Sequence, residues 1–216
     1  MGVLFVRPCH DDVISYLYHY SDELVKLSSS KGFKTLNKKK EQANKKVVSS
    51  VISVNKPKFI MFNGHGNERC ICGHNDEVLI EAGRNYDLSL LKNKITYSLS
   101  CSSASELGKE VGDDKTAFIG YTDDFALGMD VNCQASIRRD EIAKFFLEPS
   151  NLLVKSLLKG NSVEEAVNKA KELMKSNISR LRTTTSFLNA TDYIPYLFNN
   201  YIVLKAHGNV NARLNM

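Results

Sequence analysis

No apolar run in this 216-residue sequence approaches the length of a membrane-spanning helix, so no membrane association is expected. No secretory leader is expected either. Met1-Gly-Val-Leu-Phe-Val-Arg7 is short, uncharged at its front, and reads as a first β-strand. Position 6 is Val, so the N-myristoylation pattern fails as well. Cysteine is sparse and odd in number: Cys9, Cys70, Cys72, Cys101 and Cys133. These features point to a cytoplasmic chain with reduced thiols, in which a cysteine can be a reactant rather than half of a staple. A dense basic stripe is missing too. The net charge is +5, from 29 basic and 24 acidic residues, and no aromatics interleave the lysines. That argues against direct nucleic-acid binding. Lys38-Lys39-Lys40 and Lys45-Lys46 are expected on the solvated face of a helix. Neither a Walker A nor a GxGxxG motif follows the first strand, which disfavours a nucleotide-binding domain.

What is present is the composition of a folded globular chain, 43% hydrophobic and 25% charged. With no repeats and no low-complexity linker, a single domain over residues 1–216 is expected. Short, largely apolar runs read as strands: Val3–Val6, Phe33–Leu36, Lys58–Phe62, Ile95–Leu99, Thr116–Gly120 and Tyr201–Leu204. Helical patterns lie between them. One is capped by Asp11 or Asp12 and runs to about residue 30, and a Lys-rich one covers 38–54. Further helices are expected over 133–147, 149–159, 162–177 and 180–198, and Ser162-Val-Glu-Glu165 is a capping box. Residues 68–81 carry a hairpin signal around Gly73-His74-Asn75-Asp76. Strands alternating with helices imply an α/β fold: a mostly parallel six-stranded sheet with helices on both faces. In such sheets functional groups gather at the carboxyl ends of the strands.

Two strands end in chemically useful residues. The 58–62 strand runs into Asn63-Gly64-His65-Gly66, and the 95–99 strand into Ser100-Cys101-Ser102-Ser103-Ala104. If the two are parallel neighbours, an imidazole and a thiol emerge at one rim. Cys101 is then a candidate nucleophile and His65 its base. A helix starting just after Cys101 would favour the thiolate through its dipole. The amide of Gly66, unobstructed by a side chain, and that of Cys101 would form an oxyanion hole. A buried cysteine and a turn histidine without chemistry is the bland alternative. Cys70, Cys72 and His74 alternate and hint at a metal site, but the spacing is not a zinc pattern and no fourth ligand is evident, so hairpin packing is preferred. No metal or cofactor is expected. Asp11 and Asp12 after the first strand, and Asp123 and Asp124 after the 116–120 strand, would lie at the same rim, as would His10. No third member of a triad is evident from the sequence.

These motifs resemble the caspase-like (clan CD) cysteine peptidases, which place His-Gly after the third sheet strand and Cys after the fourth. Phe62-Asn-Gly-His65-Gly66 and Tyr97-Ser-Leu-Ser-Cys101-Ser-Ser-Ala104 carry the resemblance, and the bacterial CHAT-type proteases are the closest group. Phe118-Ile-Gly-Tyr121 and Leu158-Lys-Gly-Asn-Ser-Val-Glu-Glu-Ala166 are similar to segments of that group. The resemblance implies the caspase-like three-layer fold and a Cys101–His65 endopeptidase acting on a protein. In relatives that cut after Arg or Lys, acidic residues from such loops line the pocket, so it implies Asp11, Asp12, Asp123 or Asp124 as candidates to pair with a basic P1 side chain. Helix capping or loop solvation is the bland alternative, and a neutral or apolar P1 stays open. It also implies an activating protein partner, and substrates such as gasdermin-like or CRISPR-associated proteins in a defence or stress pathway. Two features depart from caspases proper. Leu99-Ser100 stands where Gln-Ala would precede the cysteine, and His65 and Cys101 lie 36 residues apart (101 − 65) rather than the roughly 50 of caspases. The alternative is a catalytically silent scaffold on the same fold.

Overall fold

A computed structural model of the chain describes residues 1–184 and 189–214. Six strands form the main sheet: β1 (Gly2–Arg7), β2 (Lys34–Lys39), β3 (Phe59–Asn63), β6 (Ile95–Leu99), β7 (Ala117–Tyr121) and β8 (Leu204–Gly208). Their order is β2-β1-β3-β6-β7-β8, and all neighbours are parallel except the antiparallel pair β7–β8. The expected α/β architecture with a mostly parallel six-stranded sheet is therefore observed. A separate hairpin, β4 (Cys70–Cys72) and β5 (Val78–Glu81), turns at 74–76 where the Gly73-to-Asp76 signal lies.

Both faces of the sheet are dry, and the period-2 pattern of the strands decides which core each residue joins. Val3, Phe5, Phe59, Met61, Ile95, Tyr97, Ile119 and Tyr121 face one core. It is closed by α1 (Asp12–Tyr20), α2 (Asp22–Ser30), α6 (Glu141–Leu158), α7 (Val163–Thr183) and α8 (Ile194–Val203). Leu4, Val6, Ile60, Phe62 and Phe118 face the other. That side is covered by α3 (Lys45–Asn55), α4 (Asn85–Leu91), α5 (Leu107–Val111) and the hairpin.

Four expectations about elements are corrected. Lys38 and Lys39 lie in edge strand β2, and α3 begins only at Lys45. Lysines on an open edge discourage pairing with other chains, so a helical charge pattern and an edge strand look alike in sequence. The first helix is two helices, broken at the fully buried Ser21, whose hydroxyl accepts from Arg7 Nε at 2.7 Å. Helix α6 continues through Pro149 instead of stopping there. Proline removes the N–H that would bond the Phe145 carbonyl one turn back. That carbonyl instead accepts from Asn177 Nδ2 of α7 at 2.9 Å, in a buried setting. Finally, Tyr201–Val203 close α8, and the last strand runs Leu204–Gly208. Part of the helix expected over 180–198 falls on 185–188, outside the described residues.

Candidate active site

Consecutive strands of the sheet deliver the candidate residues to one rim. Beyond β1, Asp11 caps α1, its Oδ1 accepting from Ile14 N–H at 2.8 Å. Beyond β3, the chain leaves the sheet through Gly64-His65-Gly66. The β3–β6 register pairs Asn63 with Leu99, and Gly64 N–H still donates to the Leu99 carbonyl at 3.3 Å. His65 and Cys101 each follow two residues beyond that last pair. Neighbouring strands lie about 4.8 Å apart, so the two backbones emerge side by side. Asn63 is buried and donates to Leu17 O and Ser21 Oγ, both at 3.0 Å, which pins the end of β3 against α1.

Both glycines around His65 are required sterically. A Cβ on Gly64 would sit 2.3 Å from the Cys72 carbonyl oxygen, and one on Gly66 2.8 Å from that of Cys70 and 3.0 Å from Ser100 Oγ. Strand β4 packs directly against this loop. Asn67 N–H donates to Cys70 O at 3.1 Å and Cys72 N–H to His65 O at 2.9 Å. Gly66 and Ile71 form the non-hydrogen-bonded pair of that bridge, so the Gly66 N–H points away from β4. Among the described residues, neither the Gly66 nor the Cys101 amide has a protein acceptor.

His65 is partly exposed and its Nε2 lies 2.8 Å from Asp11 Oδ2. With Asp11 ionised, Nε2 carries the proton and Nδ1 the lone pair. Burial raises the Asp11 carboxyl, but the Ile14 N–H, the His65 hydrogen bond and the charges of His65 and His10 outweigh it, leaving a net pKa below 3.8. From the sequence Asp11 was a candidate helix cap, as observed, and one of four candidate pocket carboxylates, and no third member for the pair was evident. The structure seats it on the imidazole. Only the strand order β1-β3-β6, which the sequence does not print, could have revealed that.

Cys101 is half-buried, and no hydrogen bond joins it to His65 among the described residues. Burial pushes its thiol up. A hydrogen bond from the Phe125 amide works the other way, while Asp124, as a charge and as a hydrogen-bond partner, and Asp123 push it further up. The expected helix dipole behind Cys101 is not there: residues 101–106 form turns, and α5 begins at Leu107 and is five residues long. The chain turns sharply at the buried Ser102, which takes φ 54°. This left-handed conformation is uncommon outside glycine and is held by Ser102 N–H to Asp123 O at 3.0 Å and by its hydroxyl to Asp124 Oδ1 at 3.2 Å. Asp123 and Asp124 are exposed and flank the thiol; Asp12 is exposed in the first turn of α1.

Cys70 and Cys72 are buried with sulfurs 3.9 Å apart. His74 does not join them on the strand. It lies in the turn beyond β4, its ring 5.3 Å from that of His10. Among the described residues no helix is long and apolar enough to cross a membrane.

This sheet order, with its antiparallel last strand and helices on both faces, is the caspase-like α/β fold. Among solved structures, the chain is similar to RgpB of Porphyromonas gingivalis in the complex of its pro- and mature domains, with TM-score 0.62, 9% identity, and 98% of this chain aligned to 48% of that one. It is likewise similar to the Arg-specific cysteine proteinase gingipain R (RgpB), with TM-score 0.58, 10% identity, and 99% of this chain aligned to 47% of that one. The chain thus spans about half the length of either structure, and at such identity the likeness concerns the fold alone. No family model and no curated protein matches the sequence. Nothing in these comparisons distinguishes a CHAT subtype.

Proposed function

We propose that this chain is a cysteine endopeptidase with Cys101 as nucleophile, His65 as base and Asp11 as the group that orients the base. The observation that supports it most is the convergence of three adjacent strand ends, which lead to Asp11, His65 and Cys101, with His65 Nε2 held by Asp11 at 2.8 Å. Asp11 fixes the tautomer in which Nδ1 accepts a proton. As a substrate carbonyl approaches, Nδ1 takes the thiol proton and sulfur attacks the carbonyl carbon. The Gly66 and Cys101 amides donate to the oxygen as it gains charge. Collapse expels the amine, which takes the proton back from His65. Water then cleaves the thioester by the same route in reverse. The chemistry calls for no metal or cofactor.

The carboxylates of Asp123 and Asp124 beside Cys101 suit a basic P1 side chain. The resemblance to CHAT proteases puts forward a protein substrate, gasdermin-like or CRISPR-associated, and a separate activating partner.

One observation favours the silent-scaffold reading: the thiol is raised, faces acidic neighbours and makes no bond to His65. Cleavage of a positional peptide library by wild type and Cys101→Ala decides between the two. The endopeptidase loses about 10⁴-fold or more in the variant. Equal activity in both proteins, or none in either with any activating partner supplied, leaves the scaffold.

A further inference from the structure

We infer that His10, His65 and Asp76, with Asp11 at their edge, form a binding site for a divalent transition-metal ion of the zinc type, whose occupancy switches His65 off as a base. The switching role rests on the proposed function of His65; the site itself does not.

The ligand atoms come from three separate segments: the loop after β1, the loop after β3 and the hairpin turn. One donor each from His10, His65 and Asp76 lies within 4.8 Å of the others. His10 Nε2 is 3.3 Å from Asp76 Oδ1 and 3.5 Å from Asp11 Oδ2, and the same Asp11 oxygen is 2.8 Å from His65 Nε2. Zinc–nitrogen and zinc–oxygen bonds of about 2.0–2.1 Å put tetrahedral ligands roughly 3.3 Å apart, so the His10–Asp76 and His10–Asp11 separations are already close to those of a coordination shell. Two imidazoles and a carboxylate suit zinc and its neighbours better than calcium or magnesium, which prefer all-oxygen shells.

His10 supplies the independent observation. Its side chain is nine-tenths buried. Its Nε2 faces two carboxylates, although one nitrogen carries at most one proton. A dication held by Nε2 of His10 and Nε2 of His65 would neutralise both carboxylates at once, with the His10 ring proton on Nδ1.

The consequence for His65 follows from tautomer chemistry. A metal takes the lone pair of Nε2, so the ring proton must reside on Nδ1. Nδ1 is then a donor and cannot accept the thiol proton of Cys101.

Zinc binding is measured by competition with a chromophoric chelator in Cys101→Ala, which removes the thiol as a ligand. Cobalt absorption in the same protein reports the geometry. One ion per chain is expected, with affinity falling about tenfold or more in His10→Ala, Asp76→Ala and the conservative Asp76→Asn. Far-UV dichroism shows whether each variant is folded. Cys70→Ser/Cys72→Ser is expected to leave binding unchanged. Absence of stoichiometric binding, insensitivity to His10 and Asp76 in folded variants, or loss only with the Cys70/Cys72 pair overturns the site. In the wild type, zinc should suppress peptide cleavage reversibly to chelator, and Asp76→Ala should resist it. Zinc binding through His10 and Asp76 in a chain without peptidase activity would sink the enzyme reading and the switch together, while leaving the site intact.

Discussion

Asp11 carries two jobs on one carboxylate, and the two separate cleanly. Oδ1 caps α1 through Ile14 N–H, and Oδ2 holds His65. Asparagine caps a helix as well as aspartate does. Asp11→Asn should therefore leave the melting temperature nearly unchanged while kcat/KM falls by about 10²-fold or more, because the amide no longer enforces the tautomer. Loss of both together in a steady-state and thermal comparison would make Asp11 merely structural. The Asp11 pKa lies below 3.8, so its ionised form contributes stability fully above that value and loses it as pH falls through the lower folded one. At Cys101, burial and the acidic neighbours hold the thiol protonated. Iodoacetamide labelling of the substrate-free protein should rise with pH along a midpoint above the ordinary thiol value of about 8.5. Asp124→Asn should move that midpoint down and speed labelling at neutral pH; a midpoint that stays put would show that Asp124 does not control the sulfur.

Helix α6 shows how an element survives a residue that should end it. Pro149 leaves the Phe145 carbonyl without its helical donor, and Asn177 of α7 supplies one. Asn177→Ala orphans that buried carbonyl and should destabilise the fold by about 1–3 kcal/mol in denaturant unfolding. A change below about 0.5 kcal/mol would mean that water replaces the amide. A sequence pattern stops at Pro149 because the compensating residue is distant in the chain. The buried strands β3, β6 and β7 were legible for the opposite reason: each is a short apolar run bounded by polar or turn residues, a purely local signal. Strand β2 was not, since lysines on an open edge resemble a solvated helix face.

At the scale of the molecule, the antiparallel strand β8 closes the sheet and reaches back to the site loop. His207 Nε2 donates to the Ala104 carbonyl at 2.8 Å, three residues beyond Cys101. Burial is the largest influence on this imidazole and holds its pKa below 6.5, against the opposing Ala104 bond. The folded state thus prefers neutral His207, and stability should be full above about pH 6.5 and decline as pH drops toward the lower folded value. Melting curves of wild type and His207→Asn between pH 5 and 7.5 test this: the wild type should lose more on acidification than the variant, and parallel losses would exclude His207. From the sequence alone came the α/β class, the parallel strands, and the prominence of His65, Gly66 and Cys101 at strand ends, because hydrophobic period and turn chemistry are local. Strand order was decided only in the tertiary structure. Placing β1 beside β3 brings Asp11 and His10 to His65, and the hairpin brings Asp76 to the same place. Residues 54 and 66 positions apart meet there because burying both faces of the sheet dictates which strands are neighbours, a choice that no short stretch of chain encodes.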